Sequence, residues 1–205
     1  METPADRFPD LTAAQLAKYA AMEALYREWN ARINVISRKD MDNLATHHIL
    51  HSLAIAKVIG FPAGSTVLDV GTGGGFPGIP LAVMFPGVQF TLCDSIGKKV
   101  RVASAVADAL QLDNVTCVNA RAESLPGRYD FVVSRAVADL SDFWPWVKDK
   151  VVQAVFCLKG GDLEAEIARC ASRWRLDSGK FYVAEISRWF SDPYFEEKKI
   201  VTISQ

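Results

Sequence analysis

Five glycines fall between residues 71 and 78, directly after an apolar run at residues 67–70. Glycine lets a backbone turn sharply and approach a ligand without a Cβ in the way. A strand followed by such a loop and then by a helix, which Pro77 would open at its first turn, is the local arrangement of nucleotide-binding sites. We therefore expect this loop to hold a ligand.

The spacing of the glycines fits two classes of ligand. From Gly73 to Gly78 it matches the dinucleotide fingerprint. However, Asp69 stands two residues before Gly71, and Gly73 and Gly75 follow at alternate positions. This acid-x-Gly-x-Gly-x-Gly form is typical of loops that bind S-adenosylmethionine. A nicotinamide enzyme would also need a substrate domain, for which little chain follows the predicted sheet. We favour the methyl donor, with the dinucleotide as the alternative.

Two more segments predict cofactor contacts at the ends of later apolar runs. Asp94 closes the second run, at the distance from the glycine loop where an acid can bind ribose hydroxyls. After the third run comes the polar segment 119–123, which includes Ala122 and Glu123 and is suited to framing an adenine.

The elements that must position these residues alternate from residue 66 onward. Strands are predicted at residues 67–70, 90–93, 115–118, 131–133 and 155–158, and helices near 77–85, 96–111, 140–151 and 162–174. This alternation indicates an α/β fold, a doubly wound, Rossmann-like and mostly parallel sheet covered on both faces. Two final strands, at residues 181–186 and 200–203, have no helix between them and are expected to form an antiparallel pair, which makes seven strands.

Two amphipathic helices are predicted before the sheet, at residues 12–34, with Thr12 as N-cap, and at residues 43–59. The sequence thus divides into an N-terminal helical extension, residues 1–62, and a methyltransferase domain, residues 63–205. We expect the extension to help recognise the substrate and not to hold the cofactor.

Composition limits the classes of function. The 205 residues are 50% hydrophobic, and 23 basic residues face 24 acidic ones, which excludes a nucleic-acid binder that acts through bulk positive charge but not a local basic patch. The four cysteines are scattered without a CxxC pair and are expected to be buried, reduced thiols. No apolar run approaches the roughly 18 residues of a membrane span, so we expect a cytoplasmic protein without a membrane partner. His47, His48 and His51 are interpreted as hydrogen-bonded helix residues rather than as a metal site.

The chain resembles the glucose-inhibited division protein B family, the bacterial small-subunit ribosomal RNA methyltransferase G. The resemblance covers nearly the whole chain and is carried by these motifs: Trp29-Asn30 with Asn34, His48-Ile49-Leu50-His51-Ser52-Leu53, Leu68-Asp69-Val70-Gly71-Thr72-Gly73, Gly75-Phe76-Pro77-Gly78-Ile79-Pro80, Asp94-Ser95 with Gly97-Lys98, Ser134-Arg135-Ala136, and Leu158-Lys159-Gly160.

This resemblance implies an enzyme that methylates N7 of a guanosine in 16S ribosomal RNA within the small ribosomal subunit, with S-adenosylmethionine as cofactor. It assigns cofactor contacts to Gly71, Phe76, Ala122, Glu123 and Arg135. The chain departs from the family pattern in two places. His51 stands where the family has Asp, and the C-terminal basic segment is reduced to Lys198-Lys199 beside two glutamates.

The residues agree with N7 chemistry. Guanine N7 has an in-plane lone pair and no proton to lose, so transfer needs an in-line approach and no general base. Residues 134–137 lack the (Asn/Asp)-Pro-Pro-aromatic motif of amine methylation and also lack a cysteine for covalent chemistry. Methylation of another RNA or of a small molecule, and a non-catalytic role in ribosome assembly, are the alternatives. We expect a monomer that needs no metal.

Four cations are expected around the cofactor because they follow predicted strands. Arg135 and Lys159 are the candidates for catalysis, and Lys98, Arg121 and Lys159 are the candidates for RNA contacts. The alternative for each is an ion pair with a neighbouring acid such as Glu123 or Asp130. The aromatic run at residues 143–146 is expected to pack against the sheet, with stacking on RNA bases as the alternative.

Overall fold

The computed structural model describes residues 2–135 and 138–205. Within these ranges, seven strands form one sheet. They are β1 (Thr66–Val70), β2 (Gln89–Asp94), β3 (Val115–Asn119), β4 (Tyr129–Arg135), β5 (Val151–Gly160), β6 (Phe181–Glu185) and β7 (Lys198–Ser204). Their order across the sheet is β3-β2-β1-β4-β5-β7-β6.

The first five strands are parallel, as predicted. The order of the strands reverses between β1 and β4, so the crevice outside their carboxyl ends is the place where ligands bind in this type of sheet. At the other side, β7 lies between β5 and β6 and is antiparallel to both, which confirms the predicted antiparallel pair.

Strand β5 is longer than the apolar run that predicted it. The run covered residues 155–158, whereas the strand covers ten residues, and the helix predicted to continue to 151 ends at Val147. Val151 is buried and the other additional residues are partly or fully exposed. They are extended because β4 and β7 supply their hydrogen-bonding partners, as in the pairs Tyr129↔Val151 and Ala154↔Ser204. Side-chain burial alone gives no signal for such pairing.

Seven α-helical segments accompany the sheet in the described ranges. They are α1 (Pro4–Arg7), α2 (Ala13–Asn30), α3 (His51–Leu53), α4 (Gly78–Met84), α5 (Gly97–Ala109), α6 (Leu140–Val147) and α7 (Glu164–Trp174). Thr12 caps α2 as predicted, because its hydroxyl accepts a bond from the Gln15 N–H at 3.2 Å. None of the helices described is long and apolar enough to cross a membrane.

The second predicted helix is irregular. In place of one α-helix over residues 43–59, the chain forms a 3₁₀ turn (Met41–Asn43), a π-helix (Leu44–Leu50), the short α3 and a second 3₁₀ turn (Ala54–Lys57). Wide π turns are uncommon and frequently occur at functional sites. This irregular stretch, residues 41–57, carries all three histidines.

The N-terminal extension shares its apolar core with one face of the sheet. Tyr19, Met22 and Tyr26 of α2 are buried in the same cluster as Phe90 of β2 and Phe131 of β4. The other face of the sheet carries a second cluster under α6 and α7. The boundary predicted near residue 62 remains a prediction, but the extension is part of the packed fold and not a separately packed appendage.

Phe61 allows a test of this shared core. It is 5% exposed, and its ring centroid lies 5.0 Å from that of Phe131 and 5.2 Å from that of Phe85. We expect Phe61→Ala to lower the free energy of unfolding by about 3–5 kcal/mol in urea titrations, because it leaves a cavity between the extension and the sheet. Tyr182→Ala is the control, since Tyr182 is 56% exposed and its loss should cost under about 1 kcal/mol. Equal losses would contradict a shared core.

Candidate active site

A cavity of about 420 Å³ opens at the carboxyl edge of the first four strands. Gly71, Asp94, Ala122, Glu123 and Arg135 line it, and these are five of the nine residues predicted to bind the cofactor. They come from the ends of β1, β2, β3 and β4, as expected for a parallel sheet in which loops at one edge build the site. The structure thus brings these five residues together at one edge of the sheet, and their role in cofactor binding stays a prediction.

Asp69 supports the glycine loop from behind and does not line the cavity. Its Oδ2 accepts bonds from the Thr72 hydroxyl at 2.6 Å and from the Gly78 N–H at 2.8 Å. The carboxyl is fully buried, which raises its pKa to about 7, although both hydrogen bonds act in the opposite direction. Asp69 thus fixes both ends of the loop to β1.

Two positions of the loop require glycine for different structural reasons. Gly75 has φ +111°, a backbone conformation that residues with a side chain rarely adopt, and a Cβ there would also meet the Ile79 side chain. Gly73 has φ +58°, and an added Cβ would meet no atom within 4 Å. Open space therefore lies over Gly73, as expected where a ligand approaches the backbone.

Asp94 joins the glycine loop to the start of α5. Its Oδ2 accepts the Gly73 N–H at 2.9 Å, and its Oδ1 accepts the Ile96 N–H at 2.8 Å. Asp94 lines the cavity, and each of its carboxylate oxygens is able to accept a further hydrogen bond. Ile96 and Lys99 also line the cavity, and the Ile96 side chain is 41% exposed. Neither residue was predicted from the sequence, although Ile96 lies two residues after Asp94 and Lys99 directly follows Lys98.

Arg135 lines the cavity and also holds the irregular stretch 41–57. Its guanidinium donates to the His47 carbonyl at 3.2 Å and to His48 Nδ1 at 3.0 Å, and it lies 5.1 Å from the centre of the Phe76 ring. Burial lowers the pKa of Arg135. Phe76 is itself buried against Tyr26 and His48, so its side chain packs behind the cavity. Ala136, which completes the Ser134-Arg135-Ala136 motif, lies outside the described residues.

Asp40 and His48 extend the hydrogen bonds made by Arg135. Neither residue was predicted to belong to the site. The His48 Nε2 lies 2.7 Å from Asp40 Oδ2, and Nδ1 faces the Arg135 donor. A neutral imidazole protonated on Nε2 can donate to Asp40 and accept from Arg135, whereas an imidazolium would set an N–H against an N–H. Burial, and then the Arg135 charge, lower the pKa of His48 to about 4.

The histidines make hydrogen bonds, as interpreted from the sequence. His47 bonds Asp40 at 2.5 Å and stacks on Tyr194, with ring centroids 3.7 Å apart. His51 bonds the Tyr194 hydroxyl at 3.0 Å. Within the described ranges, no group of three or more potential ligand side chains is arranged to hold a metal ion.

The extension also contacts the glycine loop directly. The Tyr26 hydroxyl donates to the Gly74 carbonyl at 2.9 Å, and a Cβ on Gly74 would lie 2.8 Å from Val35 Cγ2. The extension was expected to leave cofactor binding to the sheet. No described residue of the extension lines the cavity, so this expectation stays a prediction, but Tyr26 and Val35 support the glycine loop from outside.

The remaining predicted cations differ in their surroundings. Arg121 is exposed and lines the cavity, and Lys98 is exposed beside it. The Lys159 ammonium pairs with Glu166 Oε1 at 2.6 Å and donates to the Ala138 carbonyl, while the same Glu166 oxygen accepts the Leu140 N–H at 2.7 Å. The alternative expected for Lys159, an ion pair, is the one found. Its partner is Glu166, which α7 places beside the end of β5. A role in RNA contact or catalysis stays a prediction.

The aromatic run divides between the two interpretations. Phe143 and Trp144 are buried in the cluster beneath α6, which agrees with packing. Trp146 is only partly buried and lines the cavity. The thiols of Cys93, Cys157 and Cys170 are buried as expected, and Cys117 is partly exposed.

Solved structures define the class of fold. The magnesium protoporphyrin IX methyltransferase of Synechocystis PCC 6803, solved with bound S-adenosylmethionine, superposes with a TM-score of 0.60 at 16% identity over 96% of this chain and 99% of that one. An S-adenosylmethionine-dependent methyltransferase from Aquifex aeolicus gives 0.58 at 18% identity, over 82% and 98%. The fold is that of S-adenosylmethionine-dependent methyltransferases.

Sequence comparison then shows the family. The model of the rRNA small subunit methyltransferase G family matches residues 12–187. Two curated proteins named ribosomal RNA small subunit methyltransferase G, from Flavobacterium psychrophilum and Bacteroides thetaiotaomicron, are each 50% identical to this chain, over 99% and 98% of its length and 97% and 98% of theirs. The chain belongs to the rRNA small subunit methyltransferase G family, which confirms the predicted enzyme class and cofactor.

The residues of the cavity fit S-adenosylmethionine. The Asp94 and Glu123 carboxylates can accept bonds from hydroxyl and ammonium groups, and the exposed Ile96 side chain offers an apolar surface for a purine. The volume falls within the range of small-molecule pockets. Asp94, Glu123 and Ile96, with the backbone of Gly71, would hold the cofactor, which when bound supplies an activated methyl group.

His48 predicts an acid-sensitive stability. In an unfolded chain its pKa is about 6.5, so below that pH the unfolded state takes up a proton that folded His48 accepts only near pH 4. Stability from this group is present above about pH 6.5 and lost as the pH falls toward 4, by about 3 kcal/mol. Urea unfolding at several pH values should show this loss in the unmodified protein. His48→Gln should reduce the slope, because it removes the titration and leaves the other groups. Identical slopes would contradict the assignment.

Gly73 predicts a selective loss of cofactor binding. We expect Gly73→Leu to weaken S-adenosylmethionine binding by at least about tenfold in calorimetry, because its side chain would occupy the open space over the loop. Gly64→Leu is the matched control, since Gly64 also has a left-handed φ of +83° and no atom within 4 Å of an added Cβ, but precedes β1 at the opposite edge. Similar melting temperatures with unchanged cofactor affinity in both variants would disprove this role.

Proposed function

We propose that this protein transfers a methyl group from S-adenosylmethionine to N7 of a guanosine in 16S ribosomal RNA of the small ribosomal subunit. Membership of the rRNA small subunit methyltransferase G family supports this substrate. The observation that carries the chemistry is the cavity between Gly71 and Asp94, at the strand edge where this fold class binds its cofactor.

This reaction requires no acid–base chemistry from the side chains of the site. The methyl group of a sulfonium is already activated and N7 needs no deprotonation, so the protein must bind, orient and exclude water. Asp94 and Glu123 orient the cofactor, and the supported glycine loop keeps the backbone close to it. The buried Arg135 closes the β4 side of the cavity and keeps positive charge beside it.

The RNA would approach over the exposed cations at the rim. Lys98 and Arg121 are available for phosphates, because the described residues give neither an ion pair. Lys159 would act indirectly, by holding the segment that enters α6 through Ala138 and Glu166. The protein would work in the cytoplasm as a monomer on the RNA in the small subunit, and the reaction requires no metal.

The proposal predicts a specific modified nucleotide. Small subunits from cells that lack this protein, incubated with the purified protein and S-adenosylmethionine, should gain one 7-methylguanosine per 16S RNA, located by mass spectrometry of nuclease fragments. At a subsaturating concentration of S-adenosylmethionine, Gly73→Leu should incorporate much less methyl group, and Gly64→Leu should match the unmodified protein.

Other results would select the alternatives. Methylation of a different RNA or at a different atom would replace the proposed substrate. Binding to small subunits without methyl incorporation, at saturating cofactor, would favour a non-catalytic assembly role. Incorporation only into small molecules would exclude RNA as the substrate.

A further inference from the structure

The loop of residues 31–40, which follows α2, is held in one conformation without regular secondary structure. The Asn30 side chain is buried and makes three bonds to it. Its Oδ1 accepts the N–H groups of Val35 at 2.8 Å and Ile36 at 3.0 Å, and its Nδ2 donates to the Ile36 carbonyl at 2.9 Å. Asn30, the second residue of the Trp29-Asn30 motif, thus ties the loop to the end of α2.

The same loop lies directly against the glycine loop. Val35 is so close to Gly74 that a Cβ on that glycine would lie 2.8 Å from Val35 Cγ2. Asn34, Ser37 and Arg38, which flank Val35 and Ile36, are exposed, so the loop presents exposed residues near the glycine loop. From there the contacts continue through Gly73 to Asp94 and Ile96 at the start of α5, where Lys98 is exposed.

The outward face of the 31–40 loop is cationic. Arg32, Arg38 and Lys39 are exposed, and of these only Arg32 has an ion-pair partner among the described residues, Glu28 at 3.1 Å. The single acid of the loop, Asp40, turns inward to His47 and His48 and so does not neutralise that face. This local excess contrasts with the net charge of −1 of the whole chain.

We propose that the 31–40 loop is a docking surface for the RNA phosphate backbone, with Arg38 and Lys39 as its phosphate contacts and Asn30 as the positioning residue. The inference rests on the proposed function and names the surface that function uses. Because the loop is already ordered, RNA would lose little free energy in fixing it. Phosphates on one side of the glycine loop would meet Arg38 and Lys39, and those on the other side would meet Lys98.

The test uses two double variants that each remove two exposed or partly exposed lysine or arginine charges. Arg38→Ala with Lys39→Ala removes the proposed contacts, and Lys148→Ala with Lys180→Ala removes cations that precede β5 and β6 at the opposite edge of the sheet. Binding to small subunits that lack the methyl group is measured at several salt concentrations, alongside the KM for subunits and the KM for S-adenosylmethionine.

We expect the Arg38/Lys39 variant to bind subunits about tenfold more weakly and to lower the slope of log K against log salt by between about 1 and 2. The KM for S-adenosylmethionine should not change, and the Lys148/Lys180 variant should match the unmodified protein. Asn30→Ala should weaken subunit binding similarly with both cations present, because it frees the loop.

Three results would overturn the proposal. They are an unchanged salt slope in the Arg38/Lys39 variant, an equal loss in the Lys148/Lys180 variant, and a loss expressed only in the KM for S-adenosylmethionine. If the unmodified protein binds subunits but transfers no methyl group, the proposed function fails while the binding measurements still decide the docking surface.

Discussion

The site depends on a loop that must be bare of side chains toward the ligand and yet keep one shape. A glycine-rich segment is intrinsically the most flexible part of a chain, and its order costs the most conformational entropy. This chain meets that cost with hydrogen bonds from outside the loop. Asp69 bonds the loop from behind, Asp94 from the side of α5, and Tyr26 from the extension.

Further hydrogen bonds beside the glycine loop connect segments of the chain that are far apart in sequence. Arg135 at the end of β4 reaches the irregular stretch 41–57 through His48, and His51 in that stretch reaches the C-terminal strands through Tyr194. Both bonds are partly buried, so the loss of one partner would leave the other polar group with limited access to water. The cofactor edge of the sheet, the extension and the final hairpin are therefore coupled through a small number of polar contacts.

The positive charge beside the cavity depends on the partners of Arg135. Arg135 is a buried cation whose partners are a carbonyl, a neutral imidazole and an aromatic face, and it makes no ion pair within the described part of the chain. Positive charge thus persists beside the cavity in a chain with no net excess of basic residues. Lys159 shows the contrary case, because Glu166 neutralises it.

The sequence by itself determined the class of fold, the loop and the edge of the sheet at which the site forms. Those features depend on local patterns: the period of apolar residues, the glycine spacing, and an acid at the end of β2. It also placed Gly71, Asp94, Ala122, Glu123 and Arg135 together, because parallel strands end at one edge.

Only the tertiary structure decided the rest. The sequence held no sign that Asp69 faces away from the cavity or that Lys159 pairs with Glu166. Nor did it indicate that Tyr26 bonds the glycine loop and that Asn30 bonds the 31–40 loop. Each of these outcomes depends on a partner distant in the chain, such as Glu166 for Lys159 and Gly74 for Tyr26. A local pattern states what a side chain is able to do, whereas packing decides which partner it meets and whether it remains exposed to a ligand.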